Sequence, residues 1–289
     1  MGRKLKQAVS ARELAEHLDL ELLNGDMAVI SVDGVTDAQA GSLCFAKNDL
    51  WATQVKSGCL LLTARGLATS RQEPTLLSGS PRLDFARALA FLEQRAGFVW
   101  DEAPPTIHPT ARIGQYVVLG KGVEIGEGSV IYHHVVIGDE VKIGRNCVVK
   151  SCAVVGEEGF GFERAPSGQA VRLPHIGGVV IGDRVEIGSL TTVCRGTLGN
   201  TIIGDGAKID DHVHIAHNVH VGRDSFVIAC AEVSGGVNIG ERAWIAPNAS
   251  VMNQLTVGDD AVIGLGSVVV RNVPPGSIVA GNPARPLGK

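Results

Sequence analysis

The 289-residue sequence predicts a mainly β protein, a parallel β-helix preceded by a small α/β domain. The first observation is an aliphatic residue at every sixth position, a period that fits neither the 3.6-residue helix nor ordinary strand alternation. The second is that Gly often follows these positions, which permits sharp corners between short strands. The third is an aromatic content of only 4%, as expected of coils too thin to hold large rings.

This hexad frame extends over most of the chain. Three hexads make one triangular coil of a hexapeptide β-helix, so 24 aliphatic anchors predict about eight coils. The anchor and the fourth residue after it are expected to point into the core. The anchors are Ile107, Ile113, Leu119, Ile125, Ile131, Ile137, Ile143, Val149, Val155, Ile181, Ile187, Val193, Ile203, Ile209, Ile215, Val221, Val227, Val233, Ile239, Ile245, Val251, Val257, Ile263 and Val269.

Two segments break the frame: EEGFGFERAPSGQAVRLPHIGG (157–178) and RGTLGN (195–200). Loops that leave a regular scaffold often carry binding residues. After the last anchor, Pro274 and Pro275 are expected to end the coil pattern.

The residues before the solenoid predict a small mixed domain. Ser10 and Glu13 form a capping-box pattern ahead of a helix with Leu14, Leu18 and Leu22 on one face.

Strands are expected around residues 29–35, 42–46 and 59–63, and an amphipathic helix over 81–95. Pro104 and Pro105 mark the boundary. The domains are therefore predicted as 1–103, a solenoid over 104–273, and a short tail over 274–289.

Composition excludes several classes of protein. A net charge of −4 without a basic cluster gives no basis for nucleic-acid binding. The first residues lack an apolar signal-peptide core and no run is long enough to span a membrane, so we expect a cytoplasmic protein with no stable membrane insertion. The six Cys residues show no CxxC pairing, and Cys147 occupies an inward hexad position, which favours buried free thiols.

Five segments together resemble the UDP-3-O-(3-hydroxyacyl)glucosamine N-acyltransferases of lipid A synthesis, over roughly residues 8 to 250. The resemblance implies a left-handed β-helix, a homotrimer and an N-terminal domain that binds the uridine of a UDP-amino sugar. It also implies acyl transfer to the sugar amine from acyl carrier protein or coenzyme A as co-substrate, with no bound cofactor or metal. The segments are SLCFAKNDLW (42–51), SPRLDFARAL (80–89), VVGEEGFGF (154–162), VVIGDRVEIGSLTTVCRGTLGNTIIGDG (179–206) and IDDHVHIAHNVHVG (209–222).

His217 is the candidate general base. It lies two residues past anchor Ile215 and is expected to point outward, and imidazole accepts a proton near neutral pH. One 18-residue coil further on stands Gly235, about 4.8 Å along the axis, where a substrate can approach the backbone N–H as an oxyanion donor. The resembling family has its general base at the position of His217. The alternative is a solvated surface His beside an ordinary corner Gly.

Asp210 matches an Asp of the family's site, where it would orient or polarise His217. A plain acidic corner residue is the alternative for Asp210.

The resemblance places uracil recognition at Phe45, Asn48 and Trp51, through aromatic stacking and an amide edge. Trp51 replaces the family's Tyr, and Phe45 is equally well explained as strand core.

In the first frame break, Phe160 is expected to help shape the acceptor pocket. Gln254, or its neighbour Asn253, occupies the neighbourhood of a second active-site His of the family.

Two alternatives remain open. The tail PPGSIVAGNPARPLGK resembles the ending of CoA-dependent sugar acetyltransferases, which favours a short acyl-CoA donor and another nucleotide-linked amino sugar. Arg271, Arg285 and Lys289 could there meet CoA phosphates or an acidic carrier. A distant alternative is a zinc enzyme resembling γ-class carbonic anhydrases, with His175, His212 and His217 as ligands.

Overall fold

The computed structural model describes residues 2–67 and 71–287, which form two compact units. The N-terminal unit comprises Met1–Trp100, Phe160–Gly177 and Thr197–Gly199. The solenoid unit comprises Asp101–Gly159, Gly178–Gly196 and Asn200–Lys289. Both frame breaks thus send part of their length into the N-terminal unit.

The solenoid unit is a left-handed parallel β-helix whose three sheets form the sides of a triangle. The first sheet contains Thr106–Ile107, Glu124–Ile125, Lys142–Ile143, Val179–Ile181, Thr201–Ile203, His220–Val221, Asn238–Ile239 and Thr256–Val257. The second contains Arg112–Ile113, Val130–Ile131, Val148–Val149, Glu186–Ile187, Lys208–Ile209, Phe226–Val227, Trp244–Ile245, Val262–Ile263, Ile278–Ala280 and Arg285–Pro286. The third contains Val118–Leu119, Val136–Ile137, Val154–Val155, Thr192–Val193, His214–Ile215, Glu232–Val233, Ser250–Val251 and Val268–Val269.

Anchors stack on anchors from one coil to the next. In the third sheet, for example, Val193 pairs with Ile215, Ile215 with Val233 and Val233 with Val251. The hexad frame is therefore confirmed on both sides of each break. The core is made of anchors and fourth residues that are almost fully buried, while Ile107 in the first coil is 39% exposed. A terminal coil has a neighbour on one side only, so its anchor keeps part of its surface.

The corners between sheets are stabilised by side-chain caps. Oδ1 of Asp205 accepts a hydrogen bond from the backbone N–H of Asp183, one coil earlier, at 2.9 Å. Asp259 caps Glu241 in the same way at 2.8 Å. These carboxylates satisfy corner amides that no strand pairs, which explains why Asp so often follows Gly in the hexads.

Coil pairing continues beyond the expected end. Ile278–Ala280 pairs in parallel with Val262–Ile263, although Pro274 and Pro275 precede it. The two prolines stand in the loop before this strand, where a missing N–H costs no strand pairing. Arg285–Pro286 then folds back antiparallel on Ile278–Ala280.

The N-terminal unit contains a six-stranded mixed sheet in the order Arg3–Ser10, Ala28–Val32, Ser42–Phe45, Leu60–Ala64, Thr75–Ser78 and Glu21–Leu23. Its helices are Ala11–Leu18, Asp49–Ala52, the 3₁₀ turn Arg65–Leu67, and Pro81–Arg95. A hairpin of Phe162–Arg164 and Ala170–Arg172 belongs to the same unit.

The first helix is shorter than predicted. Ser10 Oγ accepts from the N–H of Glu13 at 2.9 Å, so the N-cap is confirmed. The helix ends at Leu18 because Asp19 takes the left-handed conformation with φ of 54°. Leu22 therefore lies in a strand that pairs with Leu76 rather than on the helix. Cross-strand pairing outweighed the helical spacing of the leucines.

The prediction of buried thiols is correct for Cys44, Cys59, Cys147 and Cys194 but wrong for Cys152 and Cys230. These two are exposed at left-handed corner positions, with φ of 63° and 60°. Side chains at such corners point away from the core.

Candidate active site

His217 lies at the corner where the third sheet leads into the first, directly after His214–Ile215 and Ala216. The next coil is in register with it: the N–H of Gly236 donates to the carbonyl of His217 at 2.9 Å. One coil further, the N–H of Gln254 donates to the carbonyl of Gly235 at 3.0 Å. His217, Gly235 and Gln254 thus mark three successive coils at one corner, which we call the His217 corner.

The imidazole of His217 lies over the α-carbon of Gly235. A methyl group placed on Gly235 would stand 2.6 Å from both Cε1 and Nε2 of the ring. That separation is far inside van der Waals contact, so only Gly leaves room for the ring at this position. The arrangement brings an imidazole and a half-buried stretch of backbone without side-chain bulk together, as general-base and oxyanion chemistry require.

Gly159, another residue of the solenoid unit, stands between the ring and Cys194. A methyl group on Gly159 would lie 3.5 Å from Cδ2 of His217 and 3.4 Å from Cβ of Cys194. Burial, and secondly the carboxylate of Glu157, raise the pKa of Cys194 to about 11. The thiol therefore stays protonated at neutral pH, where a thiol is a poor nucleophile.

Arg195 holds the chain where it leaves the hexad frame. Its side chain is buried, and Nε donates to the carbonyl of Gly156 at 2.6 Å while Nη2 donates to the carbonyl of Asp139 at 3.2 Å. These bonds connect three successive coils that precede His217 in the chain, and they fix the backbone where the second break begins.

Asn218 follows His217 in the left-handed conformation, and its Oδ1 lies 3.2 Å from Nδ1 of the imidazole. Neither Asn218 nor Cys194 was among the predicted site residues, whereas Gly159 lies in the loop 159–162 that was predicted, with Phe160, to shape the acceptor pocket. The signal for Asn218 was its place directly after the candidate base, at a corner that requires positive φ.

Asp210 lies at a different corner, where the second sheet leads into the third. Its Oδ2 accepts a hydrogen bond from the N–H of Ala229, one coil later, at 3.2 Å. The cap toward the earlier coil is made by its neighbour Asp211, whose Oδ1 accepts from the N–H of Ser189 at 2.7 Å. A whole side of the triangle, roughly 15–20 Å of extended chain, separates it from His217 within one subunit. A role for Asp210 in orienting the base stays a prediction, and it requires the corner of a second subunit.

The residues predicted to recognise uracil lie in the N-terminal unit. Phe45 is half-buried and stacks on Phe85 with ring centroids 5.3 Å apart. Oδ1 of Asn48 accepts from the N–H of Trp51 at 3.1 Å, so Asn48 caps the short helix Asp49–Ala52. Trp51 is 38% exposed and presents an aromatic surface to solvent.

The other two predicted substrate contacts differ in setting. Phe160 belongs to the N-terminal unit, is 86% exposed and packs on Phe162 with centroids 5.0 Å apart. Gln254 is exposed, and its Cγ lies 3.6 Å from where a methyl on Gly236 would stand. The side chain of Gln254 thus lies against the coil that contains Gly235 and Gly236.

Residues 2–67 and 71–287 contain no group of three His, Cys, Asp or Glu side chains that could hold a metal ion. His175, one of the three zinc ligands considered, is buried in the N-terminal unit. His212 is exposed at a left-handed corner of the solenoid. Within the described ranges 2–67 and 71–287, no helix is long and apolar enough to cross a bilayer.

Comparisons with known proteins concern the family and the fold. Residues 104–139 match the family model "Bacterial transferase hexapeptide (six repeats)". The UDP-3-O-acylglucosamine N-acyltransferase of Coxiella burnetii is 31% identical over 240 residues, covering 73% of this chain and 70% of that protein. The enzyme of the same name from Janthinobacterium is 30% identical over 298 aligned positions, covering 90% and 84%.

Solved structures give the same architecture. LpxA from Acinetobacter baumannii aligns with a TM-score of 0.58 and 27% identity over 64% of this chain and 69% of its own. The UDP-N-acetylglucosamine O-acyltransferase of Moraxella catarrhalis aligns with a TM-score of 0.56 and 29% identity over 64% and 72%. The extent of these matches across both units shows that the chain belongs to the UDP-3-O-acylglucosamine N-acyltransferase family.

Proposed function

We propose that this protein is an N-acyltransferase that moves an acyl group from a carrier thioester to the amine of a UDP-linked amino sugar, as in lipid A biosynthesis. The observation that carries the proposal is the imidazole of His217 over Gly235, where a methyl group would come within 2.6 Å of Nε2. The names of the relatives, UDP-3-O-acylglucosamine N-acyltransferases, support the acceptor class.

The chemistry follows from these two residues. The amine of the sugar attacks the thioester carbonyl, a C–N bond forms, and the carbonyl oxygen becomes an oxyanion that the N–H of Gly235 receives. His217 takes the proton that the amine loses. As the tetrahedral intermediate collapses, the C–S bond breaks and the proton passes from His217 to the departing sulfur. The products are an amide and a free carrier thiol, and the reaction as written uses no cofactor.

The N-terminal unit supplies the proposed uracil contacts. Trp51 offers an exposed ring for stacking, and the amide N–H donors of Asn48 suit a uracil oxygen. Phe45 contributes less directly, because one of its faces already packs on Phe85.

We propose a homotrimer as the active form. A single solenoid exposes flat sides, and Asp210 and His217 stand at two different corners of one subunit. A cyclic arrangement brings unlike corners of neighbouring subunits together, so Asp210 of one copy can act on the site of another. Light scattering combined with activity measurements tests this. A fully active monomer at nanomolar concentration would contradict it.

The donor is acyl carrier protein or coenzyme A, which share a phosphopantetheine arm. Arg271 lies at the His217 corner three coils from the base, and Arg285 lies in the last strand. Both are exposed cations that suit phosphates or an acidic carrier. Lys289, the third predicted cation, lies outside the described residues. Both donors are cytoplasmic, and the proposed compartment is the cytoplasm.

One assay decides the reaction and its alternative. UDP-amino sugars are offered in a panel with carrier and CoA thioesters of several chain lengths, and products are identified by mass spectrometry. Amide formation on UDP-3-O-acylglucosamine supports the proposal. Amide formation only on another nucleotide-linked sugar with a short acyl-CoA would instead support the second candidate. Products without an added acyl group under all conditions would refute both.

A further inference from the structure

The residue after the base is placed to control it. Oδ1 of Asn218 lies 3.2 Å from Nδ1 of His217, and the backbone at Asn218 has φ of 58°. A neutral imidazole carries its proton on one nitrogen, and the hydrogen bond made by that nitrogen determines which one. An amide oxygen can only accept, so this contact places the proton on Nδ1. The lone pair is then on Nε2, the atom that lies over Gly235.

The position of Asn218 depends in turn on the second frame break. At the His217 corner, the N–H of the left-handed residue normally donates to a carbonyl one coil earlier, as Gly236 does to His217 and Gln254 to Gly235. The corresponding acceptor for Asn218 would be the carbonyl of Arg195, after which the chain leaves the frame. The hydroxyl of Thr201 replaces that acceptor, and its Oγ1 receives the N–H of Asn218 at 2.9 Å. Thr201 is fully buried at the point where the chain rejoins the first sheet.

We propose that Asn218 is a positioning residue that holds His217 in the tautomer with Nε2 as the base, and that Thr201 holds Asn218 in place. The catalytic part of this proposal rests on the proposed acyltransferase function. The orienting partner of the base is thus a neutral amide of the same subunit. It acts whether or not the carboxylate of Asp210 from a neighbour also contributes.

Two substitutions separate the amide from the turn. Asn218→Gly keeps a backbone that favours positive φ and removes the amide. Asn218→Asp keeps an acceptor and the turn preference, and adds a negative charge beside the imidazole. Asn146→Gly is the matched control, because Asn146 has φ of 54° at the corner that carries neither His217 nor Asp210, and its N–H donates to the carbonyl of Glu127 at 2.7 Å.

We expect Asn218→Gly to lower kcat by about tenfold or more with little change in KM, since the wrong tautomer presents no lone pair at Nε2. Asn218→Asp should keep activity at high pH and move the acid limb of the kcat/KM profile upward by about one pH unit, because a nearby carboxylate favours imidazolium. Asn146→Gly should leave kcat and the pH profile unchanged. Thr201→Val should reduce kcat in the same direction as Asn218→Gly, and Thr201→Ser should restore it.

A second readout does not depend on turnover. In protein labelled with ¹⁵N-histidine, the nitrogen shifts of His217, assigned with His217→Gln, report which nitrogen carries the proton. We expect Nδ1–H in the wild type and a mixture of tautomers in Asn218→Gly. A wild-type ring protonated on Nε2, or an Asn218→Gly variant with unchanged kcat and pH profile, would overturn the proposal. If the wild type acylates no amino sugar, the proposed function fails, and the nitrogen shifts alone then decide the role of Asn218.

Discussion

Replacing Gly235 by Ala is the most direct perturbation of the site, because it adds one methyl group at a known distance from the base. That methyl would lie 2.6 Å from Cε1 and Nε2 of His217 and 3.2 Å from Nδ1. Carbon contacts normally settle at about 3.5–4.0 Å, so the ring must move by about 1 Å. The backbone itself accepts the change, since φ at Gly235 lies outside the left-handed region.

The size of the effect follows from that displacement. A misplacement of about 1 Å at a reacting group can cost about 10²-fold in rate. This corresponds to about 2.7 kcal/mol of lost transition-state stabilisation, since each tenfold change is about 1.36 kcal/mol. The loss should fall on kcat rather than on KM for the nucleotide sugar, because the proposed uracil contacts are in the N-terminal unit. Thermal stability should change little.

The neighbouring glycine provides a control with the opposite signature. Gly236 has φ of +70°, and a methyl group there would meet Cγ and Cα of Gln254 at ordinary distances of 3.6 and 4.0 Å. Gly236→Ala should therefore cost about 1–2 kcal/mol of stability through backbone strain, or several degrees in Tm, with His217 left in place.

The assay compares kcat and KM of both variants with wild type at saturating donor, and Tm by differential scanning calorimetry. If Gly235→Ala keeps kcat within threefold of wild type, the ring over Gly235 is not the reacting arrangement, and the proposed mechanism is wrong. Loss of activity accompanied by an equally large loss of Tm would show that Gly235 is needed for folding and would also refute the reasoning.

Further predictions concern the other groups described above. His217→Ala should lower kcat by about 10²-fold or more, with the trimer and Tm retained. A variant that keeps half of the wild-type kcat at saturating substrate would show that His217 is not part of the mechanism. Trp51→Ala should weaken UDP-sugar binding by about 1–2 kcal/mol in calorimetry. Acyl-CoA should give kcat/KM within about tenfold of the matching acyl-carrier thioester, and a thousandfold carrier preference would contradict this. Maleimide should label Cys152 and Cys230 rapidly and Cys194 slowly in the native protein. The unfolded chain loses the Cys194 proton near the ordinary pKa of 9.0, whereas the native state keeps that proton up to a pKa of about 11. The free energy of unfolding should therefore fall as pH rises from 9.0 to about 11, and chemical denaturation at several pH values measures it.

A periodic sequence makes some tertiary relations calculable. The offset of 18 residues between His217 and Gly235 predicted neighbouring coils, and the bond between Gly236 and His217 confirms it. Each coil repeats the same three sides, so a residue's place in the coil determines its side, and its place in the hexad determines whether it points inward or lies at a corner. The inward position of Cys147 and the outward position of His212 follow from the same count. The helix Pro81–Arg95 was likewise predicted from its own amphipathic pattern.

Contacts between residues that the hexad repeat does not relate were decided only by the tertiary structure. Leu22 satisfied a helical pattern, but pairing with Leu76 placed it in a strand. The paths of the two frame breaks are not periodic, so the sequence did not show that residues 160–177 and 197–199 join the N-terminal unit. Nor did the sequence show that, at the second break, the hydroxyl of Thr201 takes the place of the carbonyl of Arg195 as the acceptor for the N–H of Asn218. Hexad spacing determines contacts one coil apart, because the coil has a constant length. Where that length changes, the partners depend on long-range packing that no local pattern records.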